Sequence, residues 1–135
     1  MTTLNGPFIV RIDGGSIAPP ANPGSAPPSY QATLSQVASA KLQIVNGFIE
    51  SGRWYLSRHP NDSNKGAGLR PVFWFQKGTV KLGEAQKVQV QKDGNDYLLL
   101  LGGAPFSSKD GNVVVDPNGQ KPANVVVQVP DQGRG

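Results

Sequence analysis

The chain has 135 residues, a formal net charge of +4, no cysteine and one histidine. That length is one domain around one core. The missing cysteines and near-missing histidine exclude disulfides, thiolate chemistry, iron–sulfur clusters, Cys-rich zinc sites and any two-His metal site.

With 17 glycines and 12 prolines, these two residues make about a fifth of the chain, below the roughly 25–30% of unstructured low-complexity sequence. Leu, Ile, Val and Phe make about a quarter, above the level at which chains stay disordered. Charge is uneven. Residues 41–92 hold nine basic side chains against Glu50, Asp62 and Glu84, whereas residues 93–135 are net acidic. The bipolarity points to an acidic partner, nucleic acid, or head-to-tail pairing of copies.

From the N-terminus, Phe8 to Ile12 is a β-rich run. Ser16 to Ser29 holds five prolines, Pro19, Pro20, Pro23, Pro27 and Pro28. Proline fixes φ and lacks an amide donor, so the segment is expected as an extended arm of about 45 Å. Leu34, Val37 and Ala38 follow helical spacing, giving the one short helix expected, with a strand over 33–37 as the alternative. Lys41 to Glu50 reads as a hairpin around Asn46-Gly47, because that pair supplies the positive φ angles of a type I′ turn.

Arg53 to Arg58 is a strand, followed by a polar loop at 59–68. Leu69 to Gln76 is a strand with aromatics on both faces, which places it between two layers or in a subunit interface. Thr79 to Leu82 reads as a short strand. Gln86 to Lys92 alternates strictly, Asp93-Gly94 turns, and Tyr97 to Leu101 reads as a strand buried on both sides. Gly102 to Asn112 reads as a loop, Val113–Val115 as a strand, Asp116 to Gly119 as a turn and Asn124 to Val129 as the last strand. The repeated Lys-Asp-Gly-Asn at 92–95 and 109–112 reads as two similar turns with different flanks.

Eight to ten short strands with regular turn signals define an all-β protein, a small antiparallel β-sandwich or barrel with a Pro-rich N-terminal arm. The expected organisation is a strand and arm over 1–29, a β domain over 30–130 and a polar tail over 131–135. No basic n-region precedes an apolar segment, and the longest apolar runs have four residues. The chain is therefore expected to be made in the cytoplasm, with no membrane partner.

No catalytic constellation emerges. Glu50 and Glu84 sit at strand ends, His59 lies in a loop without a GxSxG elbow, and no Walker A or GxGxxG motif is present. Asp110, Asn112, Asp116 and Asn118 offer oxygen ligands for calcium, but their spacing is not that of an EF-hand. No metal, cofactor or enzymatic role is expected.

Trp54, Tyr55 and Trp74 would suit sugar stacking, a role more usual in secreted modules. Arg53, Trp54, Tyr55, Arg58, Arg70, Trp74 and Lys77 combine cations and rings, as a single-stranded nucleic-acid binder requires. The favoured reading is a non-enzymatic structural subunit of a large assembly, specifically a virion accessory (decoration, cement or small head or tail) protein of a bacterial virus. Its partners would be copies of itself and other subunits, a homo-oligomer strapped together through Phe8, Ile9, Ile17, Pro19, Pro20, Pro27, Pro28 and Tyr30.

Overall fold

The computed structural model describes residues 4, 6–66, 68–83, 86–94, 96–119 and 123–129. The 131–135 tail and Glu84 lie outside them. Among the described residues are thirteen strands and one 3-10 turn (Pro23–Ser25). The strands are β1 (Ile9–Ile12), β2 (Gly15–Ile17), β3 (Ser29–Gln31), β4 (Leu34–Ser35), β5 (Gln43–Val45), β6 (Phe48–Ser51) and β7 (Trp54–Arg58). The remainder are β8 (Arg70–Gln76), β9 (Val88–Asp93), β10 (Asp96–Leu101), β11 (Ala104–Lys109), β12 (Asn112–Val115) and β13 (Val125–Gln128).

Six strands form a nearly closed antiparallel barrel. β13 pairs β1 with Ile9 opposite Gln128. β1 meets β5 through reciprocal 2.8 Å bonds between Phe8 and Leu42. β5 pairs β6 across the Asn46-Gly47 turn, where both residues have positive φ, as the type I′ reading requires. The Val88 amide donates to the Gly47 carbonyl, joining β9 to this hairpin. β9 pairs β10 over six residues, and β13 packs beside β10.

Six of the other seven strands form three hairpins that cap one end, β2 with β4, β7 with β8, and β11 with β12, and β3 adds to the second by pairing β8. Buried Ala32 ties them together, donating to the Val72 carbonyl and accepting from the Val113 amide. Barrel strand, hairpin, barrel strand thus occurs three times in sequence, which is the connectivity of a β-trefoil. Each hairpin's first strand buries the third residue after its entry turn: Ile17, Leu56 and Phe106. The first residue after each turn is also buried, but it is Gly15, Trp54 or Ala104. One large ring fills on one side what small residues leave on the other two. Only position and burial repeat, so residue identity does not disclose the threefold pattern.

The proline-rich arm is the main correction. Residues 16–29 do not extend away from the body but fold back against β7 and β8. Prolines offer carbonyls without amides, so such a segment is held by outside donors. Trp54 Nε1 donates to the Ala21 carbonyl at 2.9 Å. Gln76 Nε2 donates to the carbonyls of Pro23, Ala26 and Pro27 at 3.2–3.3 Å. The Ala21 amide donates to the Tyr30 hydroxyl at 2.7 Å, and the Tyr30 ring meets Trp54 edge-on at 5.3 Å. Trp54→Phe keeps most of the packing and removes one donor. It is expected to cost about 1–2 kcal/mol and to open the 16–29 belt, read as faster amide exchange at Tyr30 and Ala21.

Four other expectations change. The helix over 30–40 is absent, because the Ser35 hydroxyl accepts from the Val37 and Ala38 amides in a local turn; Val37 is 95% exposed. Thr79 to Leu82 is not a strand; the Thr79 amide and hydroxyl both return to the Gln76 carbonyl. The 97–101 strand is buried on one side only, with Leu99 and Leu101 inward and Leu98 37% exposed. The expected loop at 102–112 contains β11, joined to β12 through positive-φ Asp110 and Gly111.

Candidate functional site

β6, β7 and β8 bury one face in the core and carry rings on the other. Their inward residues are Ile49, Trp54, Leu56, Val72 and Trp74, all buried. Strand alternation sends Phe48, Tyr55, Phe73 and Phe75 the other way, where the register sets Tyr55 opposite Phe75 and Ser57 opposite Phe73. Phe48 lies 6.1 Å from Tyr55 and Phe73 5.8 Å from Phe75, centroid to centroid. His59 stands 6.5 Å from Phe73. The result is an aromatic stripe across three strands, with Val45, 41% exposed, beyond Phe48.

Cations edge the stripe. Lys77 Nζ lies 5.5 Å over the Tyr55 ring and 2.7 Å from Glu50 Oε1. Lys87 Nζ lies 6.0 Å over Phe48. Arg53 is exposed at the β6–β7 turn, and its carbonyl accepts from the Lys77 amide. Phe48, Tyr55 and Phe73 are half-buried and Phe75 is buried, 6% exposed; half-buried rings, two of them with a lysine over the face, suit an apolar or aromatic partner carrying negative charge at its rim.

The structure separates the residues singled out in the sequence. Tyr55 and Lys77 meet on the stripe with Arg53 nearby. Trp54 and Trp74 are core residues, 2% and 1% exposed, so neither presents a ring face to a base or a sugar. Arg58 is buried and Arg70 is half-buried, and both bind the 59–68 loop. Phe8 and Ile17 are core residues as well. Ile9, Pro20 and Tyr30 are half-buried, while Pro19, Pro27 and Pro28 are exposed. Phe48, Phe73, Phe75 and Lys87 complete the stripe. The period-two alternation of 70–76 was the sequence signal for the first two-sided strand, but Phe48 needed the β6–β7 register.

His59 is engaged in its own turn, with Nδ1 accepting from the Asn61 amide at 3.1 Å. Among the described residues no group of three or more His, Asp or Glu side chains could hold a metal ion. Asp110 sits in the β11–β12 turn, and the Asp116 carbonyl accepts from the Gly119 amide. Comparison of the chain with known protein families, curated proteins and solved structures finds no match.

Proposed function

We propose that this chain is a non-enzymatic structural subunit that works by protein–protein association, with the β6–β8 stripe as its contact face. The supporting observation is a sheet with rings on both sides, of which the second leaves Phe48, Tyr55 and Phe73 half-exposed while Phe75 is buried. Copies of the same chain are the proposed partners. The stripe is edged by Lys77, Lys87 and Arg53, and the chain carries exposed acids elsewhere, at Asp96 and Asp110. A virion accessory role is the setting we propose, where weak contacts repeated over many copies gain avidity. The stripe takes the place of the arm as the fastening element.

Single-stranded nucleic acid is the weaker reading, since its two Trp platforms lie in the core. Fluorescence anisotropy with labelled oligonucleotides separates the two. Binding at low salt that falls steeply as salt rises supports nucleic acid.

Sedimentation velocity tests the association. The intact chain is expected to form oligomers as concentration rises through the micromolar range. Phe48→Lys and Phe73→Lys are expected to weaken association at least about 10-fold while leaving the fold intact, since both positions face outward. An intact chain that stays monomeric, or variants that associate as it does, overturns the reading.

A further inference from the structure

A second apolar surface lies on the outer wall of the barrel. On β10, Leu99 and Leu101 point into the core, so alternation turns Asp96, Leu98 and Leu100 outward. On β13, Val125 and Val127 pack on the core, and Val126 faces out. Val10 and Ile12 of β1 are buried, which leaves Ile9 and Arg11 on the same wall, with Arg11 opposite Val126. β10 and β13 pack side by side, and no ladder joins them among the described residues. Of the five large apolar side chains exposed among the described residues, Leu98, Val126 and Val129 lie on or beside this wall, and Val45 ends the stripe. Exposed apolar surface thus gathers in two places.

The two places are on opposite sides of the molecule. Around the barrel the strands run β13, β1, β5, β6, β9, β10, so β13 stands three strands from β6 and its Phe48 in either direction. They also differ in charge. Lys77, Lys87 and Arg53 edge the stripe. The wall carries the exposed carboxylate of Asp96, two residues before Leu98 on the same face. Arg11 lies at the β1 side of the wall, where its Nε donates to Gln128 Oε1 at 3.1 Å. Lys92 is turned over the Tyr97 ring, on the other face of β10. The stripe comes from the net basic residues 41–92, and β10 and β13 come from the net acidic residues 93–135.

We propose that this wall, on a second copy of the chain, is what seats on the stripe, so that copies stack head to tail. An apolar centre with an acidic rim is the surface that rings edged by lysines accept, and opposite charges at the two rims fix the register. This pairing presupposes that copies associate through the stripe, and it names the surface the stripe meets. The two faces differ and lie on opposite sides, so each contact leaves one stripe and one wall unused. Growth then continues into a ring or a filament. A stripe that met another stripe would instead stop at a dimer and set lysines against lysines.

Sedimentation velocity of two variants, apart and mixed, tests this. Leu98→Lys spoils the wall and keeps the stripe, whereas Phe48→Lys spoils the stripe and keeps the wall. Leu98 is exposed, so its variant is expected to keep the circular dichroism spectrum of the intact chain. Asp96→Lys, at the exposed rim, takes its place if Leu98→Lys does not fold. The intact chain is expected to pass beyond dimers as concentration rises, and each variant alone to associate at least about 10-fold more weakly. Mixed in equal amounts, the two variants are expected to regain one intact contact and form a one-to-one dimer that grows no further. If Leu98→Lys associates like the intact chain while Phe48→Lys does not, the wall is overturned and the stripe stands. A mixture as weak as its parts, or an intact chain that stops at dimers, also overturns the wall. An intact chain that stays monomeric removes stripe and wall together.

Discussion

Removal of residues 1–29 is expected to leave a chain that does not fold. Read as an arm, this segment would be dispensable. In the structure it supplies β1, which pairs with β13 along four residues, and β2, half of the first capping hairpin. It also supplies Phe8, Val10, Ile12 and Ile17, none more than 1% exposed. Truncating one such side chain costs about 2–5 kcal/mol, and a whole domain is stable by about 5–15 kcal/mol. Loss of four, together with the opening of the barrel between β13 and β5, exceeds that margin. The check is a urea titration followed by circular dichroism. The truncated chain is expected to show no cooperative transition. A sigmoidal transition near that of the intact chain would restore 1–29 to the status of an appendage.

Arg58→Met is the second large effect. Methionine matches much of the length of the arginine stem but donates nothing. Asp62 keeps Arg70 as a partner, but the Asn64 carbonyl oxygen and the Leu101 carbonyl each lose a donor. Breaking a buried pair by removing one member typically costs about 3–5 kcal/mol. With Asp62 still held by Arg70, about 3 kcal/mol is expected. At a urea m-value of about 1.5 kcal/mol/M this lowers the midpoint by about 2 M. The loop should also lose its rigidity, seen as new proteolytic cuts between His59 and Leu69. A midpoint within about 0.3 M of the intact chain's would mean that Arg58 does not hold the loop.

Local turn chemistry was legible in the sequence, and long-range arrangement was not. Asn46-Gly47 announced its hairpin because only a few residue pairs accept two positive φ angles. The Asp110-Gly111 pair carries the same signal, but β11 before it reads Ala-Pro-Phe-Ser-Ser-Lys, with small and polar residues where a strand usually shows β-branched ones. Ser107 is fully buried there, a choice that hydropathy cannot anticipate. Proline composition was read as extension. Its carbonyls instead found Trp54 and Gln76, residues 33 to 53 positions away. The aromatics of 69–76 were seen to face both ways, yet which ring faced the core depended on register with β7. That register put both tryptophans in the core and turned Tyr55, Phe73 and Phe75 to the opposite face, where Phe75 is still buried. The threefold pattern stayed hidden because Gly15, Trp54 and Ala104 occupy equivalent places with unequal volumes.

The central claim, that copies of this chain meet through the basic-edged aromatic stripe, is tested most directly by zero-length carbodiimide cross-linking. Light and heavy isotope forms of the intact chain are mixed at a concentration where oligomers form, and mixed-isotope peptides are sequenced. The account predicts inter-chain links from Lys77 or Lys87 to exposed carboxylates such as Asp96 or Asp110, lost in Phe48→Lys. Inter-chain links that avoid these lysines, or that persist unchanged in the variant, would contradict it.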